Sequence, residues 1–244
     1  MDYLYKRFAE YYDLCYSKKD YNKETNFLKS LIKKYKITGK HLLEFGCGTG
    51  GHAIHLRKDD FKIVGVDLNK EMLKIARKKS KSIHFLQGDM RTCDLKKRFD
   101  IVICLFSTIH YNQNCRELEK TLRNFYKHLK PRGLLIFDMG FNEERWSGGH
   151  IFVDNWSNRE VDLVRFSKSR RNEDYGILDM ACIIFKNNKF QFEEEHHKLR
   201  IFKTPEVKKL VEKIGFNVDL YAGYTKKVWQ KNSKKYVVFA GVKQ

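Results

Sequence analysis

Apolar residues recur along this chain in two alternating rhythms. Phe27, Leu28, Leu31 and Ile32 fall at helical spacing, with Lys and Glu opposite them, and predict an amphipathic helix over residues 21–36. A short apolar run over residues 41–45 then reads as a strand. The pair repeats. Residues 61–66 form a second strand, and Asn69 caps a helix whose apolar positions are Met72, Leu73, Ile75 and Ala76. Residues 83–86 make a third strand. Residues 99–105, broken only by Asp100, and residues 134–137 are continuous apolar runs suited to strands buried on both faces. Leu118, Leu122, Phe125 and Leu129 line a helix between them. Such alternation predicts an α/β fold, a Rossmann-like doubly wound sheet, mainly parallel, with right-handed crossovers.

After Asp138 the rhythm shortens. Segments near 160–168, 176–185 and 189–202 read as strands separated by Asn, Asp and Gly turns, and predict an antiparallel β insertion over residues 146–202, after strand five. Residues 204–215 return to helix, opening with Pro205 and closing at Gly215, and residues 216–221 and 236–242 supply two closing strands that bring the main sheet to seven. A chain of 244 residues carrying one such sheet is expected to be one domain, 1–244, with the insertion inside it.

Composition narrows the class. At 42% hydrophobic and 14% aromatic residues the chain buries enough to fold globularly. No apolar stretch is long enough to span a bilayer, and Met1 to Arg7 carries charge where a signal peptide needs an apolar region, so the expected compartment is cytoplasmic. Six cysteines show no Cys-x-x-Cys pair and read as reduced. The net charge of +19, spread in short runs such as Lys33-Lys34, Lys96-Lys97-Arg98 and Lys234-Lys235, favours phosphate-bearing partners without choosing among them.

The chemistry begins at Glu44-Phe45-Gly46-Cys47-Gly48-Thr49-Gly50, where strand one runs into a glycine loop that lets a ligand approach bare backbone. With Asp67 at the end of strand two, this loop alone also fits an NAD site. Three further features point elsewhere: Glu44 before the first glycine, Gln87-Gly88-Asp89-Met90 after strand three, and Leu105-Phe106-Ser107-Thr108 leaving strand four at the ligand edge of the sheet. His52 and His55 read as packing of the first helix, not as metal ligands, and His196-His197 as a surface strand.

Together these residues resemble the class I S-adenosylmethionine methyltransferases. Gly88-Asp89-Met90-Arg91, Phe106-Ser107-Thr108-Ile109 and Arg165-Phe166-Ser167-Lys168-Ser169-x-Arg171 resemble, more narrowly, the bacterial N,N-dimethyltransferases of nucleotide-linked amino sugars. The resemblance implies S-adenosylmethionine as cofactor, with Gly46 and Gly48 backbone at its methionyl part, Asp67 on the ribose, Asp89 and Met90 at the adenine, the Leu105 carbonyl on its ammonium group and Tyr21 at its carboxylate. Glu44, Cys47 and Leu68 complete the expected cofactor set. Tyr12, Thr108 and Tyr111 are the expected acceptor contacts, with His110 as proton acceptor. Asp138-Met139-Gly140 departs from the Glu-Pro-Trp those sugar enzymes often carry, which leaves the acceptor open. A small anionic acceptor is expected, most specifically an amino sugar on a nucleotide diphosphate. Another small amine or hydroxyl, or RNA, is the alternative. The insertion is expected to cover the acceptor site or to form a homodimer face, its open edges needing cover.

Overall fold

The computed structural model describes residues 8–143, 146–231, 233 and 235–244. Met1 to Arg7 and Lys234 lie outside the described residues. Seven strands form the main sheet in the order β10-β11-β5-β4-β1-β2-β3, namely β1 (His41–Phe45), β2 (Lys62–Asp67), β3 (His84–Gln87), β4 (Phe99–Cys104), β5 (Leu129–Met139), β10 (Phe216–Ala222) and β11 (Val237–Lys243). β11 alone runs antiparallel to its neighbours β5 and β10. This is the mainly parallel, Rossmann-like sheet that the strand–helix alternation predicts.

Period-two alternation sorts each strand's side chains between two layers. Leu42, Ile101, Ile103, Leu134 and Ile136 face one core, packed by α2 (Tyr21–Lys34), α3 (Gly51–Arg57) and α4 (Lys70–Lys79). Leu43, Phe45, Val102, Cys104, Leu135 and Phe137 face the other, beneath α5 (Cys115–His128) and α6 (Thr204–Ile214). Asn69 caps α4 through its side-chain oxygen, which accepts from the N–H groups of Glu71 and Met72. Asp100, the one break in its run, accepts from the His41 N–H and from Lys130, and so ties three central strands at the edge remote from the glycine loop.

A second, antiparallel sheet of four strands, β6 (Ile151–Ser157), β7 (Val161–Asn172), β8 (Tyr175–Lys186) and β9 (Lys189–Arg200), runs in the order β6-β7-β8-β9. Its inner face buries Leu163, Cys182 and Ile184 against Phe8, Tyr11 and Cys15 of the N-terminal segment, whose four-residue helix α1 covers Tyr12–Cys15. β6 escapes the sequence pattern because Ile151, Phe152 and Val153 are consecutive and all exposed, so no alternation marks them. β5 begins at Leu129, five residues before its apolar run, because Lys-Pro-Arg-Gly carries a bulge, with Arg132 at a φ of 61°, opposite Phe99 to Ile101 of β4.

Candidate active site at the edge of the parallel sheet

The loop after β1 is shaped by three glycines at positive φ: Gly46 at 68°, Gly48 at 53° and Gly50 at 81°. The N–H groups of Gly46 and Cys47 donate to the Val66 carbonyl at 2.7 and 3.2 Å and pin the loop to β2. Gly46 must lack a side chain, since a Cβ there meets the Thr108 methyl at 2.3 Å. Around the Cβ position of Gly48 nothing lies within 4 Å, so bare backbone faces an open cradle.

Asp67 ends β2 beside this cradle. Its carboxylate accepts from the Gly48 N–H at 2.7 Å and the Asn69 N–H at 2.8 Å. Burial pushes its pKa up, against the pull of those two donors. Leu68 follows, exposed.

Glu44 is 1% exposed and its Oε2 has no hydrogen-bond partner. Its Oε1 lies 3.6 Å from His52 Nδ1, while His52 Nε2 sits 2.6 Å from Glu24, which Lys19 also holds. Burial lowers the His52 pKa, but pairing with Glu24 and Glu44 outweighs it and the net shift is upward. Tyr21 packs edge-on to His52, stacks on His55 and fills the space above Gly51. His55 spends its Nδ1 on the Gly51 carbonyl, so the two histidines do not converge. Cys47 is buried, and its thiol is pushed well above its ordinary pKa by burial.

Asp89 is committed more tightly than the sequence shows. Arg91 chelates it through Nε at 2.9 Å and Nη2 at 2.7 Å and reaches on to Glu117 at 2.8 Å. Burial raises the Asp89 pKa, Arg91 more than offsets this, and the net shift is downward. Met90 packs on the core beneath, its carbonyl taken by Asn124.

The exit of β4 is a sharp corner. Phe106 and Ser107 both take positive φ, 58° and 63°, a conformation that costs an L-residue roughly 1 kcal/mol or more each. Asp138, buried at the end of β5, holds it: its oxygens accept the Phe106 N–H at 2.9 Å, the Ser107 N–H at 2.5 Å and the Tyr224 hydroxyl at 2.6 Å. Leu105 directs its carbonyl toward the corner, where the Thr108 hydroxyl donates to it at 2.8 Å.

From Thr108 to Tyr111 the chain makes one 3-10 turn. His110, expected as proton acceptor, is fully buried and spends both nitrogens on backbone: Nδ1 lies 2.7 Å from the Arg200 carbonyl, and Nε2 accepts the Phe141 N–H at 3.2 Å. Burial lowers its pKa to about 4, so the ring is a neutral strut and the proton-acceptor expectation needs another residue. Tyr111 instead meets His197, its hydroxyl 2.8 Å from Nδ1, and Glu195 lies 3.3 Å from His197 Nε2. The surface reading of His196-His197 therefore holds only for His196, which pairs with Asp179. Alternation puts His197, with Glu195, on the inner face. That alternation was the available signal; what lay across from the strand was not visible in sequence. Tyr12 and Tyr16 lie against the same space, rings 4.6 Å apart, with Tyr16 edge-on to Phe106. Arg165 reaches in from β7 beneath Trp156 and Tyr16 and pairs with Asp154 at 3.0 Å.

A glycine cradle with acids at the ends of β1, β2 and β3 is one wall, and the tyrosine-lined face of the second sheet is the other. Residues 42–133, which build the first wall, match a methyltransferase domain family. This chain is an S-adenosylmethionine-dependent methyltransferase with the class I fold. Among relatives of this methyltransferase, the dTDP-3-amino-3,6-dideoxy-alpha-D-glucopyranose N,N-dimethyltransferase of Streptomyces fradiae is 27% identical over 218 residues, covering 88% of this chain and 86% of that one. The crystal structure of DesVI from Streptomyces venezuelae superposes with a TM-score of 0.87 at 25% identity, over 97% of this chain and 98% of that one. CalS10, an amino pentose methyltransferase from Micromonospora echinaspora whose structure holds S-adenosylmethionine, matches with a TM-score of 0.81 at 22% identity, over 100% of both chains. S-adenosylmethionine is the methyl donor of this methyltransferase, and the site suits it: the Gly48 cradle is open and the buried Glu44 keeps a free oxygen for a cationic group. Among the described residues no helix is long and apolar enough to cross a membrane, and no cluster of side chains suited to a metal ion is found.

Proposed function

We propose that the methyltransferase acts on the amine nitrogen of a small anionic acceptor, an amino sugar on a nucleotide diphosphate. The observation that carries this reading is the extent of the likeness. The family match spans the cofactor wall alone, whereas the match to DesVI and to the Streptomyces fradiae enzyme continues through the second sheet that builds the acceptor wall.

S-adenosylmethionine supplies a methyl group on a positively charged sulfur, which a neutral amine attacks directly. The protein's part is alignment and charge. Asp67 takes the ribose hydroxyls, Gly46 and Gly48 give backbone to the methionyl part, and Tyr21, Glu44 and the Leu105 carbonyl frame its charged end. Met90 and Leu68 flank the adenine, with Cys47 lining the loop beneath. Asp89 serves the adenine through the carboxylate edge that Arg91 leaves over. Tyr12 and Tyr111 contact the acceptor, and Thr108 sets the distance between the two walls. The surplus of positive charge draws in a diphosphate without needing a long groove.

The reading includes a second copy of the chain as partner, supported by the second sheet. Its outer face exposes Val153, Val164, Phe166, Ile183, Phe190 and Phe192, each between 41% and 72% exposed, in adjacent register positions across four strands. An apolar face of this kind suits association with a second copy of the chain.

Purified protein incubated with labelled S-adenosylmethionine is expected to label nucleotide-linked amino sugars and not bulk transfer RNA. Label in RNA and in none of the sugars overturns the acceptor assignment. Salt separates the two as well, since a protein covering many phosphates loses affinity steeply with ionic strength and one diphosphate does not.

A further inference from the structure

One short turn joins the two walls. A 3-10 turn of four residues spans about 8 Å at roughly 2 Å per residue. At its start Thr108 lies on Gly46, at the mouth of the cofactor cradle. At its end the half-buried Tyr111 presents its hydroxyl to His197 Nδ1, and His197 in turn lies beside Glu195. His197 is 2% exposed and Glu195 8%, and the Glu195 oxygen that faces His197 Nε2 is Oε2, at 3.3 Å. Hydroxyl, imidazole and carboxylate thus stand in series, with the hydroxyl at the open end.

We propose that Tyr111, His197 and Glu195 form a relay that takes the proton from the acceptor amine. Tyr111 is the catalytic residue, and His197 and Glu195 are positioning residues behind it; the proposal rests on the amine-acceptor reading above. The chemical need is specific. An amine attacks only as its neutral form, and each methylated product carries an N–H proton that must leave before a further transfer. The proton passes from nitrogen to the Tyr111 oxygen while the Tyr111 proton passes to His197 Nδ1, and nitrogen keeps its electron pair. One proton has moved from amine to imidazole, with no oxidant or reductant, and the imidazolium lies against the Glu195 carboxylate. The order is that of a nucleophile–base–carboxylate array, with the Tyr111 hydroxyl in the nucleophile's position, where it exchanges a proton with the amine and forms no bond to carbon. His110, one residue away, does not serve, because backbone occupies both its nitrogens.

The other ionisable groups around this array are Arg165 from β7, Cys182 and Asp179 from β8, Glu193 and His196 from β9, and Tyr12 and Tyr16 from the N-terminal segment. Arg165 pairs with Asp154 and His196 with Asp179, while burial raises the pKa of both tyrosines and of Cys182, so none of the three thiol and phenol groups ionises near neutrality.

The test uses the whole protein with dTDP-3-amino-3,6-dideoxyglucose and S-adenosylmethionine. At pH 7, Tyr111→Phe and His197→Asn are each expected to lower kcat about 100-fold with KM little changed, and the double variant to be no worse than the poorer single. Glu195→Gln, which keeps the shape, gives a smaller loss. In all of them the deficit shrinks as pH rises through the pKa of the amine, because the amine then loses its proton unaided. A deficit independent of pH, or confined to KM, overturns the relay and leaves a structural network. A second readout needs no acceptor: nitrogen NMR of the protein bound to S-adenosylhomocysteine is expected to show neutral His197 protonated on Nε2. Protonation on Nδ1 reverses the Tyr111 hydrogen bond and overturns the relay. If the wild type transfers no methyl to the sugar, the acceptor reading fails, and the His197 tautomer still decides the relay.

Discussion

Asp67 shows how one side chain is prepared before any ligand arrives. Two backbone N–H groups fix its carboxylate, so the oxygens face the Gly48 cradle without further ordering. Replacing Asp67 with Ala removes charge-assisted hydrogen bonds worth about 1.5–3 kcal/mol each, and calorimetric titration is expected to show S-adenosylmethionine binding weakened at least tenfold. Unchanged affinity sinks the ribose role. His110 makes a different point. Its folded pKa, about 4, lies below the ordinary histidine value of about 6.5, so the unfolded chain binds the extra proton between those values. Stability is therefore full above about pH 6.5 and is lost as pH falls through 4, by roughly 3 kcal/mol from this residue. His110→Gln is expected to flatten that part of the stability–pH curve measured by urea denaturation; an unchanged slope refutes the assignment. His52 carries the opposite sign. Its pKa is raised, so its contribution is complete below about 6.5 and fades as pH climbs through the folded value.

Among the elements, the corner after β4 depends on a residue 32 positions away in sequence from Phe106. Asp138→Asn leaves a single side-chain oxygen for three donors and a buried amide group in place of the second. The expected cost is about 3 kcal/mol, read as a drop in Tm of roughly 6–12 °C, together with weaker S-adenosylmethionine binding because the Leu105 carbonyl loses its direction. A variant with wild-type Tm dismisses the clamp. This corner also marks where reading the sequence stops. The strands β1, β2 and β4, the Asn69 cap and the glycine loop are legible because each rests on spacing within a dozen residues. Asp138, Tyr224 and His197 act on partners tens of residues away, and nothing local distinguishes Asp138 from a strand-end turn or His197 from its neighbour His196. β6 was hidden for a related reason: its apolar residues point at solvent, so its pattern answers to a surface outside the chain's own core. The commitment of His110 to the Arg200 carbonyl joins the 3-10 turn to the end of β9, a contact that exists only once both sheets are formed.

At the scale of the whole molecule, two faces of one sheet divide the work. The inner face of β7, β8 and β9 carries Arg165, Ser167, Glu195 and His197 toward the acceptor wall, and the outer face carries the apolar rows. Sedimentation of the wild type is expected to show a dimer. Phe166→Glu with Phe192→Glu, which place charge in the middle of the outer rows, should yield a monomer whose S-adenosylmethionine affinity is unchanged. A monomeric wild type ends the proposal.

The position of β11 bears on how the protein is made. The last strand in sequence lies inside the main sheet, between β5 and β10, with Val237, Val238, Phe239 and Ala240 wholly buried. A growing polypeptide on the ribosome can assemble β1 to β5 early, but β10 has no neighbour to pair with until residues 237–243 have cleared the exit tunnel. Until then β5 presents an unpaired edge, which is the hazard for aggregation during synthesis. Tyr224, which donates to Asp138, also lies between β10 and β11. Completion of the sheet and completion of the β4 corner therefore fall at the same late moment, so a partly synthesised chain has its glycine loop but not the finished site.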